Sequence, residues 1–417
     1  MRKDHFLPLD GLRGIAILAV LLTHTYNYNG TSLFGRGMES VARAGWVGVT
    51  LFFVLSGFLI TGILLDTRGR TNYLRDFFAR RSLRIFPLYF AFLAVNYFLV
   101  PHVPFLLERL HRPEPGRWIY YWTYTANMIE WFAGPTADGR GAFGHFWSLA
   151  VEEQVYLFWP FLILMVPRRS FVPVFVGIAF LSLMWRIVTR LTAQPIDVTY
   201  CWTPANLESF AAGAIVAFLS RENPNLLRSF APGLAVASGC FIAGMWAGQR
   251  HFNFWESPVP MLTVGTTGLI LFFAATIGSS ITSIDRSFLN QALSVAWLRS
   301  FGKYSYAIYL FHPSVNDLVY PIVYSEYTGF IPKNTVLGGL LLAVAVTAFS
   351  FIAAFVSWYG WESQFLRLKK YFPLSGGVIR PEAEAATPGS SGVPHDPPSH
   401  VSEPAEPVEL APVADRV

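Results

Sequence analysis

The chain has 417 residues, of which 53% are hydrophobic, 16% aromatic and only 14% charged, with a formal net charge of +5. Soluble chains carry about 25% charged residues, so this composition excludes an ordinary soluble enzyme and predicts an all-α polytopic membrane bundle. The basic excess suits membrane orientation and implies no nucleic acid.

Cys201 and Cys240 show neither metal-ligand spacing nor a disulfide pattern, and there is no zinc motif, phosphate loop or internal repeat. No metal and no resident cofactor are expected. Arg2 and Lys3 precede an apolar run, as in a secretion signal. That run ends near Leu22, about twenty residues before the small-residue stretch Ala42-Arg43-Ala44, so a retained first span is expected instead.

Apolar runs of spanning length predict about ten transmembrane helices, at 11–28, 45–65, 84–101, 147–166, 171–191, 205–219, 230–249, 258–279, 302–323 and 336–360. Between the third and fourth lies 102–146, rich in aromatics such as Trp118, Tyr120, Tyr121, Trp122, Tyr124 and Trp131. It reads as an interfacial or re-entrant segment, or as an eleventh helix. The expected organisation is a transmembrane domain over 1–372 and a disordered cytoplasmic tail over 373–417, where Pro, Glu, Ala, Ser and Gly dominate.

Ionisable groups inside a membrane are costly and face a bundle interior or a wet cavity. The first span carries three, in Leu9-Asp10-Gly11-Leu12-Arg13-Gly14 and His24. Arg13 and His24 are three helical turns apart, so they point in nearly the same direction, roughly 16 Å from each other along the axis. In the second span Ser56-Gly57 is a small-residue notch, suited to close helix packing or to lining a cavity. Arg75, Arg80, Arg81 and Arg84 then mark either ordinary topology or a grip on a polyanion. Arg81 and Arg84, one turn apart, are placed to hold a single phosphate.

The fourth span opens with His145-Phe146-Trp147-Ser148-Leu149-Ala150-Val151-Glu152-Glu153-Gln154. Counted along their own helices, Glu152 and Glu153 reach a depth similar to His24, so either is expected to orient that imidazole. Arg186 and Glu208 fall in the outer half of their spans and read as an acceptor contact or a structural ion pair. In the ninth span, Ser305-Tyr306-Ala307-Ile308-Tyr309-Leu310-Phe311-His312-Pro313 puts His312 near mid-membrane. It serves there either in catalysis or by satisfying backbone groups freed by the proline.

Together these stretches resemble the acyltransferase-3 family of integral membrane acyltransferases. The resemblance rests on Arg13 and His24 within the first motif, Phe52-Phe53-Val54-Leu55-Ser56-Gly57-Phe58, the Arg81-Ser82-Leu83-Arg84 pair, and the two motifs around Glu152 and His312, all in the expected order. It implies an acyl, most often acetyl, transfer from acyl-CoA as donor substrate to a hydroxyl of a glycan, polysaccharide or glycolipid. It also implies a catalytic His24, with Arg13, Arg81 and Arg84 handling acyl-CoA. Glu152 and Glu153 are grouped with His24, while Asp10, Ser56, Arg186, Glu208, Tyr306 and His312 are acceptor or structural candidates. One departure is Asn206, where family members often have an arginine. No fused esterase-like domain is expected after Phe372. A ternary complex and an acyl-histidine relay both fit. The second reading is a transporter or flippase of an anionic or lipid-linked solute, with the same charges as its pathway.

With the N-terminus inside, 18 lysines and arginines fall on cytoplasmic segments and 9 on outer ones, which predicts a cell-membrane protein with both termini cytoplasmic. Fused after Val417, alkaline phosphatase should be inactive and a fluorescent protein bright; an active phosphatase there would reverse the orientation.

Overall fold

A computed structural model describes residues 6–26, 28, 30–111, 116–134, 143–249, 259–283, 287–324 and 335–374. The expected tail beyond 374 lies outside these residues, as do Arg2, Lys3, Arg112, Arg140, Arg250, Arg286 and Lys333 of the basic count. Ten long helices organise the described chain. They are α1 (Leu7–Thr25), α2 (Val47–Thr67), α3 (Tyr73–Ala94), α4 (Phe146–Met165), α5 (Phe171–Leu191), α6 (Thr203–Glu222), α7 (Pro224–Gln249), α8 (Thr266–Thr282), α9 (Ala296–Val323) and α10 (Val336–Ser357). Eight of them, with their flanking turns, are long and apolar enough to cross a membrane. The other two, α6 and α9, have the length but carry more polar residues. In α6, Asn206, Glu208 and Ser209 are buried among neighbouring helices, where polar groups find partners that lipid cannot provide. The chain is thus a polytopic helical membrane bundle.

Helices approach closely where side chains are absent. A Cβ on Gly302 would lie 1.9 Å from the Asp10 carbonyl oxygen, so α9 touches the backbone of α1. Likewise a Cβ on Gly213 would lie 2.2 Å from the Val54 carbonyl oxygen, and one on Gly57 2.3 Å from that of Phe210. These pairs seat α6 against α2. Contacts of this kind replace the hydrophobic drive that lipid removes, and they hold α1 against both α9 and α2.

The third helix begins at Tyr73, eleven residues before the expected 84. Arg75, Arg80, Arg81 and Arg84 therefore stand on its first three turns and not in a loop. Arginine is a good helix former, so the helix continues out of the apolar layer that the hydrophobic count detects. Within 102–146, the described pieces Pro104–Arg109, Trp118–Trp122 and Ile129–Ala133 are all short. None is an eleventh span. This segment is tied to the bundle by the Tyr89 hydroxyl, which donates to the Tyr121 carbonyl at 2.7 Å, and by Tyr121 and Phe143 packed on Phe146.

Arg186 on α5 is 2% exposed and forms an ion pair with Glu208 on α6; it also donates to the Ala205 carbonyl at 2.8 Å and to the Thr267 hydroxyl of α8 at 3.0 Å. Three helices share one buried charge pair. Removing one partner strands the other, at a cost of about 3–5 kcal/mol, whereas replacing both by apolar residues is often neutral. Arg186→Met should therefore lower the thermal unfolding midpoint in detergent sharply, and Arg186→Met with Glu208→Leu should restore most of it. Equal loss in the single and double variants would contradict the clamp.

Candidate active site

The first helix carries polar groups at both of its ends. Near its N-terminal end, Arg13 lines a cavity of about 110 Å³ together with Ser56, Arg81, Arg84, Glu152 and Tyr309. The basic residues around this end divide into two sets. Arg68 caps the end of α4 by donating to the Leu164 and Val166 carbonyls, Arg80 donates to the carbonyls of Lys369 and Phe372, and Arg221 pairs with Asp66. Those are structural. Arg81 and Arg84 make no hydrogen bond or ion pair with a described residue. The Arg81 guanidinium lies over the rings of Phe77 and Tyr156 at 5.8 and 5.4 Å, and that of Arg84 over Trp358 at 5.5 Å. Ring faces hold the two guanidinium groups while leaving their N–H forks available to an anion.

Asp10 pairs with Arg13 at 3.9 Å. The glutamates complete the charge pattern. Glu152 accepts a 2.5 Å hydrogen bond from the Ser56 hydroxyl, to which the Tyr156 hydroxyl donates in turn at 3.3 Å. Glu153 borders the same cavity, with one carboxylate oxygen buried and unpartnered among described residues. Ser56 thus lines the cavity while Gly57 packs against α6. Tyr306 also borders it, but its hydroxyl is committed to the Ile85 carbonyl at 2.8 Å.

At the other end of α1, His24 is exposed. Its Nδ1 lies 2.8 Å from the Val20 carbonyl oxygen. A carbonyl can only accept, so Nδ1 carries the proton and the neutral ring presents an unprotonated Nε2, the form a general base requires. Behind it stands an arc of imidazoles, with the His24 and His312 ring centres 5.0 Å apart and those of His312 and His145 5.3 Å apart. His312 is fully buried and donates from Nδ1 to the Tyr309 carbonyl at 2.8 Å. In a regular helix that carbonyl would take the N–H of residue 313, which Pro313 lacks. His312 therefore satisfies the freed carbonyl and still turns its ring toward His24.

The expected glutamate partner of His24 is not formed. Glu152 belongs to the basic cavity with Ser56, and the residue that joins the imidazoles of His312 and His24 is His145, just before the first turn of α4, seven positions or roughly 10 Å earlier. The register of α4 against α1 decides this. His145 is the site residue that sequence reasoning passed over, although it opens the quoted motif. Tyr309, one turn before His312, is another. Its hydroxyl donates to the His145 carbonyl at 2.8 Å and lies 2.6 Å from that of Ser148; both side chains border the basic cavity. Tyr309 thus lies between the basic cavity and the imidazoles, its ring 5.7 Å from that of His312. Arg186 and Glu208 belong to the clamp, and Asn206 donates to the Tyr200 and Trp202 carbonyls.

A family model of the acyltransferase domain matches residues 7–359. Among curated proteins, the chain is 29% identical over 342 residues to the peptidoglycan O-acetyltransferase OatA of Listeria monocytogenes, covering 77% of this chain and 51% of that protein. It is 27% identical over 366 residues to the O-acetyltransferase OatA of Staphylococcus aureus, covering 84% and 57% respectively. The chain thus spans about half the length of the curated relatives it matches. No solved structure matches it significantly. The domain match takes in all ten long helices, the residues lining the basic cavity and the three histidines, and by it the chain belongs to the acyltransferase-3 family.

Proposed function

We propose that this chain moves an acyl group, acetyl before longer chains, from acyl-CoA to a hydroxyl of a glycan of the peptidoglycan type. The observation that carries the reading is α1 itself, which places Arg13 among unpaired arginines and, three turns on, an exposed His24 with its base tautomer fixed. Acyl-CoA is a polyanion. Its phosphates suit Arg81 and Arg84, and its thin pantetheine arm suits the narrow cavity leading past Arg13 toward Tyr309. With both termini cytoplasmic, the donor enters from inside and the acceptor meets His24 from the outer face. The names of the two relatives support acetyl as the group and a wall glycan as the acceptor.

In the proposed reaction, His24 Nε2 takes the proton of the acceptor hydroxyl as its oxygen attacks the thioester carbonyl. The new C–O bond forms, the C–S bond breaks, and the imidazolium returns the proton to the departing thiolate. A base matched to neutral pH suits both transfers. The Val20 carbonyl keeps Nδ1–H in place throughout and stabilises the imidazolium, the part played by a carboxylate in hydrolase triads.

A positioned base contributes about 10²- to 10⁴-fold. His24→Gln should lose turnover by at least that lower factor in purified protein given labelled acetyl-CoA, while expression and acetyl-CoA binding stay near wild type. Wild-type turnover in this variant would remove His24 from the base role.

A charge-assisted hydrogen bond contributes about 1.5–3 kcal/mol, which corresponds to roughly 10- to 100-fold in affinity. Arg81→Ala and Arg84→Ala should each raise the KM for acetyl-CoA by about that factor with a smaller change in kcat, because a phosphate contact remote from the reacting carbon is made equally in ground and transition states. Unchanged donor kinetics in the double variant would return both arginines to topology alone.

A further inference from the structure

After α10 the chain continues through three short turns, Trp358–Glu362, Ser363–Arg367 and Leu368–Tyr371, which pack along α3. Three hydrogen bonds hold them there. The Trp361 indole N–H donates to the Pro87 carbonyl at 3.1 Å, and Arg80 donates to the carbonyls of Lys369 and Phe372 at 3.1 and 3.0 Å. The backbone of Lys369 is thus clamped by the residue next to Arg81. Its side chain is half-buried and makes no hydrogen bond or ion pair with a described residue. The four charges that act on it most strongly are Arg84, Arg81, Arg80 and Arg13, all of its own sign. Arg13 has Asp10 beside it, Arg81 has Glu152 and Glu153 within electrostatic reach, and Arg84 has Glu362. No carboxylate stands among the strongest neighbours of Lys369. Like charges gathered in a half-buried place repel one another, and a bound anion relieves them.

We infer that Lys369 binds the 3′-phosphate of acyl-CoA and so sets a preference for coenzyme A over donors that lack this group. The inference rests on the acyl-CoA donor of the reading above. The cavity of about 110 Å³ lined by Arg13, Arg81 and Arg84 is narrow, so it suits the pantetheine arm and leaves the bulkier nucleotide outside. Lys369 does not line that cavity, but it stands close to Arg84 and Arg81, which do. The diphosphate directly follows the arm and falls to the two arginines. The one further phosphate of coenzyme A sits on the ribose, where a cation off the cavity wall meets it. A phosphate monoester carries about 1.5 to 2 negative charges at neutral pH, and an ammonium is a compact point charge with three donors to offer it. An anionic lipid headgroup presents the same chemistry, and the two donors of the test separate these sources.

The test uses the full chain in detergent and two donors that differ only in this group, acetyl-CoA and acetyl-3′-dephospho-CoA, with calorimetry reading the affinity of each. A hydrogen bond between charged groups is worth about tenfold or more in affinity, so the wild type should bind acetyl-CoA at least about tenfold more tightly than the dephospho donor. Lys369→Ala should bring acetyl-CoA down to the dephospho level while the affinity for the dephospho donor barely moves. Lys369→Arg should keep most of the preference. Lys370→Ala should keep all of it, because Lys370 is exposed and lies over the Tyr371 ring. Arg81→Ala should weaken both donors alike, since both carry the diphosphate. Equal affinity of the wild type for the two donors, or an equal loss for both in Lys369→Ala, would overturn the inference. So would a preference undiminished in Lys369→Ala, the result that a lipid-binding lysine gives. Failure of the underlying reading looks different: the wild type would bind neither donor, which removes acyl-CoA as the donor and this inference with it.

Discussion

Everything in this fold follows from the difficulty of keeping charge inside hydrocarbon. An arginine or aspartate at the centre of a membrane helix costs about 2.5–3.5 kcal/mol on insertion scales, yet α1 carries Asp10, Arg13 and His24 on one helix. The bundle meets that cost by enclosing α1 and not by hiding each charge singly. Glycine contacts such as Gly302 on the Asp10 carbonyl bring neighbouring backbones within touching distance. Polar side chains on α2, α3, α4 and α9 then supply the surroundings that lipid withholds.

Enclosure has a functional consequence, because polar groups gathered around one helix form two separate environments at its ends. The N-terminal end is dominated by guanidinium groups backed by aromatic rings, with Glu152 held by Ser56 and Tyr156. The C-terminal end is an arc of imidazoles, with no carboxylate bonded to His24 among the described residues. Tyr309 and Ser148 stand between them, bonded to the His145 carbonyl. This separation suits the proposed reaction, in which a polyanionic donor and a neutral hydroxyl acceptor would come from opposite sides of a membrane.

Much of this is legible in the sequence. The long helices follow from apolar run length, and the grouping of Arg13 with Arg81 and Arg84 is what the family resemblance implies. What could not be read was the relative register of helices. Counting residues from the ends of two spans set Glu152 level with His24. The actual level is fixed by packing, which puts His145 there and lowers the glutamates by two turns. The same limit concealed the Arg186 and Glu208 clamp among site candidates, since a buried ion pair and a substrate contact look alike in sequence. The start of α3 was missed for another reason: hydropathy detects the part of a helix inside the apolar layer and is blind to the arginine-rich turns that continue it.

Among the described residues no carboxylate bonds to His24, and the proposed base role does not need one. A carboxylate partner in a low-dielectric layer would itself have to remain ionised, and it would attract the arginines that line the basic cavity. A backbone carbonyl carries no net charge, is supplied by the helix at no cost in burial, and still accepts from Nδ1–H. His24 obtains this from Val20, four residues back on its own helix; His312 obtains it from Tyr309, three residues back, because Pro313 has released that carbonyl. Both imidazoles are thus fixed in the same tautomer by helix geometry. Glu152 and Glu153 border the basic cavity at the opposite end instead, and in the proposed role His24 keeps Nε2 to accept the proton.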